Sequence, residues 1–256
     1  MYITAMCSQK GGSGKTTLTG HLGVQAERAG HGPVALIDCD PQGSLAAWWN
    51  CRKEKRPSFV RTTLETLGED LETLRDNGFA QVFIDTPPAV SQPLSRVMAR
   101  SDLIVIPTRP SPHDLRAVRG TLDLAEHVDK PIVFVLNGAP TTGRIAADAA
   151  IALSQHGTVA PTFVHHRTIM ASSMIDGRTA MEVRPGLKAS DEIAALWTYI
   201  FERQRRIENR RTFVEQHLVA PRSFGRRGAD DDATADAYGS VEPAMEDDFT
   251  HQRAWA

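Results

Sequence analysis

The sequence predicts an α/β protein built on a doubly wound, mostly parallel sheet with helices on both faces. Three observations predict it: short runs that are nearly continuously apolar, longer stretches of helical spacing between them, and a glycine-rich loop joining the first run to the first helix. A strand buried on one face alternates apolar and polar residues, whereas a strand covered on both is apolar throughout. In open sheets of this kind, ligands bind outside the carboxyl ends of the strands.

The strand runs are 2–7, 34–38, 82–85, 103–107 and 132–136, with a weaker one at 159–164. Each is about five residues long and rich in Val, Ile or Leu, as strands are. Helical spacing or helix-start signals mark 15–29, 64–76, 112–127 and 144–156. A last helix from about Ser190 carries an apolar stripe, Ile193, Leu196, Trp197, Ile200 and Phe201, that should dock on the sheet, and then turns arginine-rich. After Pro221 the chain is Gly, Ala, Asp, Ser and Pro with few large apolar residues. Residues 1–212 are therefore expected to be one domain ending in that helix, and 213–256 a disordered, acidic tail.

The formal net charge of −2 hides an uneven distribution. Residues 201–228 hold eight Arg against three Glu, while the last 28 residues set one Arg against eight carboxylates. Asymmetry of this kind bears on partners or solvation, not on fold. Three cysteines, Cys7, Cys39 and Cys51, without C-x-x-C spacing argue against a disulfide framework or a zinc site. No apolar stretch approaches a membrane span and no signal peptide precedes the first strand, which leads to the expectation of a cytoplasmic protein.

The segment Lys10-Gly11-Gly12-Ser13-Gly14-Lys15-Thr16-Thr17 follows a strand and opens a helix, the context a P-loop needs. Its glycines let the backbone curl so that successive N–H groups point inward, and the helix presents its positive dipole end to phosphates. Lys15 is expected to reach the β- and γ-phosphates of ATP and the Thr16 hydroxyl to ligate Mg²⁺. Two strands end in carboxylates: Asp38, followed by Asp40, and Asp85. A carboxylate at a strand's carboxyl edge faces the ligand crevice and can hold Mg²⁺ directly or through water, so Asp85 and Asp38 are assigned to the metal shell with Thr16. Taken singly, each Asp could equally be a helix cap or turn former. For the adenine base, Asn137 at a strand end and Pro161 are candidates, although a plain turn role serves either as well.

The run Lys10 to Thr17 resembles the deviant Walker A motif of the ParA/MinD group of P-loop NTPases, the deviation being Lys10. Residues 34–43 look like that group's second motif and 82–88 like its Walker B. The resemblance covers roughly residues 1–205 and is nearest the short ParA-type plasmid-partition ATPases. Softer matches lie at 106–115, at 166–177 and at 44–48. The resemblance implies that Lys10 acts in trans on the nucleotide of a sister subunit, and that Asp40 positions the water attacking the γ-phosphate. Lys10, Lys15 and Asp40 are then the catalytic candidates.

It further implies a DNA-partition ATPase, in which an ATP-bound sandwich dimer binds double-stranded DNA non-specifically on the nucleoid. A cargo-bound adaptor, ParB-like and centromere-binding, would then stimulate hydrolysis. Contacts of that kind need Lys and Arg along one surface and weaken steeply with salt. Arg167 and Lys188 lie where relatives carry such residues, and Arg203, Arg206 and Arg210 extend the supply, although a charged, solvated helix end reads equally well. The alternative is a ParA/MinD-like positioning ATPase for another cargo: a protein assembly, a conjugative complex or a membrane-associated system. The tail lacks the amphipathic basic helix that membrane binding requires, so no stable membrane association is expected. An iron-sulfur relative would need paired cysteines, and no segment reads as a helix-turn-helix.

Overall fold

The computed structural model describes residues 1–88 and 92–218. The strands are β1 (Tyr2–Met6), β2 (Val34–Asp38), β3 (Ser58–Val60), β4 (Gln81–Asp85), β5 (Leu103–Thr108), β6 (Ile132–Ala139), β7 (Thr158–Val159) and β8 (Val164–His165). All pair in parallel in the order β3-β2-β4-β1-β5-β6-β7, with β8 joined to the end of β6. The helices are α1 (Lys15–Arg28), α2 (Ser44–Asn50), α3 (Leu67–Asp76), α4 (Gln92–Arg100), α5 (Pro112–His127), α6 (Ile145–Ser154), α7 (Thr168–Ser172), α8 (Ala180–Val183) and α9 (Lys188–Leu218), with a 3-10 turn at Ser173–Asp176. The doubly wound parallel architecture expected from the apolar runs is thus the one observed.

The continuous apolar runs are explained by two cores, one on each face. Along β4, Phe83 enters one core while Val82 and Ile84 enter the other, and Leu36 and Ile37 of β2 divide in the same way. Helices α1, α2 and α9 supply Leu18, Leu22, Leu45, Leu196 and Trp197 to the first; α3, α4, α5 and α6 supply Leu71, Leu94, Leu122 and Leu153 to the second. Burying one such side chain contributes about 1.5–3 kcal/mol, so each face is needed to hold the sheet. Trp197 is enclosed by Phe83 and Phe201, and its indole N–H donates to His31 Nδ1 at 3.0 Å, which satisfies its one polar atom.

Several details depart from the expectations above. The run at 159–164 is two short strands, because Pro161 lacks the N–H that a ladder requires. Helix α3 begins at Leu67, since the Thr62 and Thr66 hydroxyls bond the Asp70 carboxylate ahead of it and compete with helical pairing. Strand β3 and helix α4 were not anticipated. Helix α9 begins at Lys188 and continues through 213–218, residues placed in the tail by the expected boundary at 212. The rest of that segment, 219–256, lies outside the described residues. Among the described residues no helix is long and apolar enough to cross a membrane.

Helix α9 is anchored near both ends of the strands. Glu192 in its second turn accepts bonds from His165 and Arg167, beside the carboxyl ends. Buried Gln204 donates to Thr4 Oγ1 at 2.9 Å and Gln81 Oε1 at 3.1 Å, and Arg211 stands 3.5 Å from Asp102, which precedes β5. The helix therefore crosses the sheet obliquely towards the opposite edge, and its last turns project beyond it.

Candidate functional site

The central strand β1 delivers the chain into the loop 7–14 at the carboxyl edge, between β4 and β5. Gly12 and Gly14 adopt φ of 76° and 98°, a region that side chains disfavour. At Gly14 there is also no room: a Cβ would lie 2.0 Å from Asn137 Nδ2. Gly14 caps α1, whose first N–H groups and dipole thus face a cavity of about 840 Å³. Its wall includes Gly11, Gly12, Gly14, Lys15, Thr16 and Thr17. A helix N-terminus open to a cavity in this way has the geometry that suits an anion.

Lys15 is 7% exposed, and its ammonium donates to the Ser8 carbonyl at 3.3 Å. Burial lowers its pKa, with Asp85 and Asp40 pulling the other way. Thr16 Oγ1 donates to Asp85 Oδ2 at 2.6 Å. Burial raises the Asp85 pKa to about 7 against that hydrogen bond, and Asp85 Oδ1 is buried with no hydrogen-bond partner. An orphaned buried carboxylate oxygen beside a threonine hydroxyl is a pair of hard oxygen donors, which fits a magnesium ion. Parallel register places Asp38 directly beside Asp85. Asp38 is already employed, however: Oδ1 accepts from the Asp40 amide at 3.0 Å and Oδ2 from the Ala46 amide at 2.9 Å, so its carboxylate shapes the loop into α2. Burial raises its pKa while those bonds oppose. Asp40 is half-buried in the cavity wall, with Oδ1 held by the Gln42 amide at 3.0 Å.

Lys10 is turned away. It is not part of the cavity wall; its ammonium lies 2.8 Å from Asp114 Oδ2 at the start of α5. Asp114 is 5% exposed and also bonded by Ser111. Burial alone would raise this carboxyl, but the bonds from Lys10 and Ser111 hold it below the ordinary carboxylate value.

Asn137 lies in the wall, but its Nδ2 donates to the Ser13 carbonyl at 2.7 Å, bracing the P-loop. Pro161 is exposed and is not part of the wall. The basic candidates are divided by the sheet. Arg167 lies in the wall, 2.6 Å from Glu192, and exposed Lys188 opens α9 one turn earlier. Arg203, Arg206 and Arg210 instead line, with Arg211 and Lys130, a depression at the far edge. Within one protomer these two groups stand at opposite edges of the sheet, since α9 carries its arginines away from the phosphate end.

Arg109 and Asp114 fall in the softer match at 106–115 without having been singled out as site residues: Arg109 lines the cavity, and Asp114 holds Lys10 beside it. His21, which no motif marks, supports the loop from behind. His21 is fully buried; its Nδ1 bonds the Thr17 carbonyl at 2.8 Å, and its Nε2 accepts from the Ala180 amide at 3.1 Å. It therefore ties α1 to α8, where Glu182 completes a capping box and takes a salt bridge from Arg52 at 2.8 Å. Local pattern cannot reveal the contacts of Lys10 with Asp114 or of His21 with Ala180, because the partners are distant in sequence.

A parallel α/β sheet with a P-loop after its central strand, and a Thr–Asp pair below it, defines a P-loop nucleotide-binding protein. Residues 4–209 match the CobQ/CobB/MinD/ParA nucleotide binding domain. The chain belongs to that family, the ParA/MinD ATPases. The chain is 26% identical over 204 residues to the maintenance of carboxysome distribution protein A of Halothiobacillus neapolitanus, covering 75% of this chain and 93% of that one. Its namesake in Gloeobacter kilaueensis is 40% identical over 125 residues, 48% of this chain and 56% of that one. The chromosome-partitioning ATPase Soj of Thermus thermophilus is 29% identical over 153 residues, 48% and 61% of the two chains. Apo McdA of Cyanothece superposes with a TM-score of 0.67 at 17% identity over 78% of this chain and 99% of that one. The Pyrococcus furiosus cell division ATPase MinD superposes with a TM-score of 0.65 at 18% identity, covering 78% and 98%; at such identities the likeness is one of fold.

Proposed function

We propose that the chain is an ATP-driven molecular switch: it binds ATP with Mg²⁺, pairs with a second copy around the nucleotides, attaches to DNA without sequence preference, and hydrolyses ATP when a cargo-bound adaptor engages it. The observation that carries this reading is Lys10. Part of the P-loop yet bonded to Asp114, it does not serve the cavity of its own protomer and becomes available to another once that pair breaks. Lys15 and the curled amides hold the phosphates, and Thr16 with Asp85 would hold the metal, which when bound offsets phosphate charge. Asp40, fixed by the Gln42 amide, orients an attacking water, a task in which position counts more than basicity. Hydrolysis would then undo the pairing, so each ATP drives one cycle of attachment and release.

Two cargoes fit this switch. DNA partition through a ParB-like adaptor is supported by the likeness to Soj, and positioning of a protein assembly by the likeness to the Halothiobacillus protein over 93% of its length. The nucleoid would be the track in both.

The test compares sedimentation and DNA co-pelleting of wild type, Lys15→Ala and Asp40→Ala with ADP and with ATP. Wild type should pellet with DNA only with ATP, Lys15→Ala with neither nucleotide, and Asp40→Ala should stay dimeric on DNA. Equal DNA retention by all three in either nucleotide would remove the switch.

A further inference from the structure

Three Lys or Arg side chains line the nucleotide cavity: Lys15, Arg109 and Arg167. Lys15 is engaged by the Ser8 carbonyl and Arg167 by Glu192. Among the described residues the Arg109 guanidinium has no hydrogen-bond or ion-pair partner, although Asp114 is near enough to feel its charge. That carboxylate is already taken by Lys10 and Ser111.

The place of Arg109 is fixed by bare backbone. A Cβ on Gly12 would stand 3.7 Å from Arg109 Nη2, and one on Gly138 would stand 3.8 Å from Nε. Both glycines have positive φ, 76° and 66°, so the crown of the P-loop and the end of β6 each present an uncovered surface to the guanidinium. The chain on either side is held: Thr108 ends β5 and is buried, Pro110 is buried, and Ser111 caps α5. A firmly seated backbone thus projects an exposed, unpaired arginine over the phosphate loop.

Such an arrangement is unfavourable unless an anion arrives. The N-terminus of α1 carries partial positive charge, Lys15 adds a full one, and Arg109 brings a third positive group to the same mouth. We propose that Arg109 is a phosphate-contacting residue for the nucleotide of its own protomer, a cis contact that Lys10, held by Asp114 outside the cavity, does not make. This rests on the nucleotide reading of the cavity. A triphosphate stays anionic even with a divalent cation bound, and Lys15 is one compact charge. A guanidinium adds a planar fork whose two parallel N–H donors match the oxygens of one phosphate group, which an ammonium cannot do. Arginine is therefore the side chain that makes the pocket count phosphates, and its contribution grows from mono- to triphosphate.

The experiment measures dissociation constants of the full chain, with Mg²⁺, for a non-hydrolysable ATP analogue, ADP and AMP. Wild type is compared with Arg109→Ala, Arg109→Lys, Lys15→Ala and a surface control, Arg116→Ala. Arg109→Ala should weaken the ATP analogue at least tenfold, ADP less and AMP least, with Arg109→Lys recovering only part of the affinity and Arg116→Ala binding as wild type. Arg109→Lys keeps the side-chain stem and so separates loss of the fork from loss of packing. If Arg109→Ala binds all three as wild type does while Lys15→Ala loses them, the inference falls and the nucleotide site stands. A loss equal for all three nucleotides also overturns it. Wild type that takes up no nucleotide removes both.

Discussion

The Asp114 carboxylate holds the Lys10 ammonium at 2.8 Å, drawing the lysine of the P-loop onto helix α5 and out of the cavity that the same loop builds. For Lys10 to reach a sister subunit this pair must break, and Asp114 must keep Ser111 as its remaining donor. Lys10 is 40% exposed, so the pair contributes roughly 1 kcal/mol after solvent screening.

Asp114→Asn should therefore ease pairing of two copies. With the ATP analogue, sedimentation should find dimers at roughly fivefold lower protein concentration than wild type, the equivalent of about 1 kcal/mol. An unchanged or weakened dimer would mean that Asp114 orients Lys10 and does not restrain it.

Asn137 braces Ser13 through its amide N–H, a role that carries no preference for one base over another. Asn137→Ala should weaken ATP and GTP binding by the same factor and lower the melting temperature, because a part-buried hydrogen bond contributes about 1 kcal/mol. A selective loss of ATP would identify Asn137 as an adenine contact.

How much of this was written in the chain depends on distance along it. The glycines at 11, 12 and 14, Lys15 and Thr16 lie on one contiguous stretch that lines the cavity, so their spacing alone exposed them. Asp85 was legible because a carboxylate ending a fully apolar run has few other reasons to be there. The Lys10–Asp114 pair, the Asn137–Ser13 brace and the seat of Arg109 on Gly12 each join residues about a hundred positions apart, and only the sheet order β4-β1-β5-β6 brings them together. His21 was invisible for a related reason. Its burial depends on α8, a single helical turn with no periodicity to read.

His21 also gives a pH signature. Burial lowers its pKa from 6.5 to about 4, the Thr17 bond and Glu182 opposing, so the folded state holds it neutral while the unfolded chain protonates near 6.5. The unfolded state then binds more protons between about pH 6.5 and 4. Stability from this group is intact above 6.5 and is lost as pH falls through that window, by about 3 kcal/mol at its lower end. His21→Gln should be less stable than wild type at pH 7.5, yet fall less steeply in denaturant titrations towards pH 4. Parallel pH profiles would show that His21 is not buried neutral.

Arg206 and Arg210 stand at the edge of the sheet opposite the cavity. If they meet DNA phosphates, Arg206→Glu with Arg210→Glu should reduce co-pelleting and lower the salt slope by about 2, roughly one unit for each phosphate no longer neutralised, with nucleotide affinity unchanged. Arg167→Ala, in the cavity wall, should alter both. Full DNA retention by the double variant would leave that arm as a solvated helix end.

Helix α9 closes one of the two cores with Ile193, Leu196, Trp197 and Ile200, and Gln204 ties it back to Thr4 near the start of the chain. During synthesis the amino-terminal strands therefore leave the ribosome long before their cover does. Until some two hundred residues have been translated, Phe83 on that side of the nascent sheet lacks its Trp197 cover. A chaperone that covers this face would protect the protein until α9 has emerged, whereas a pause just before Lys188 would prolong the exposure.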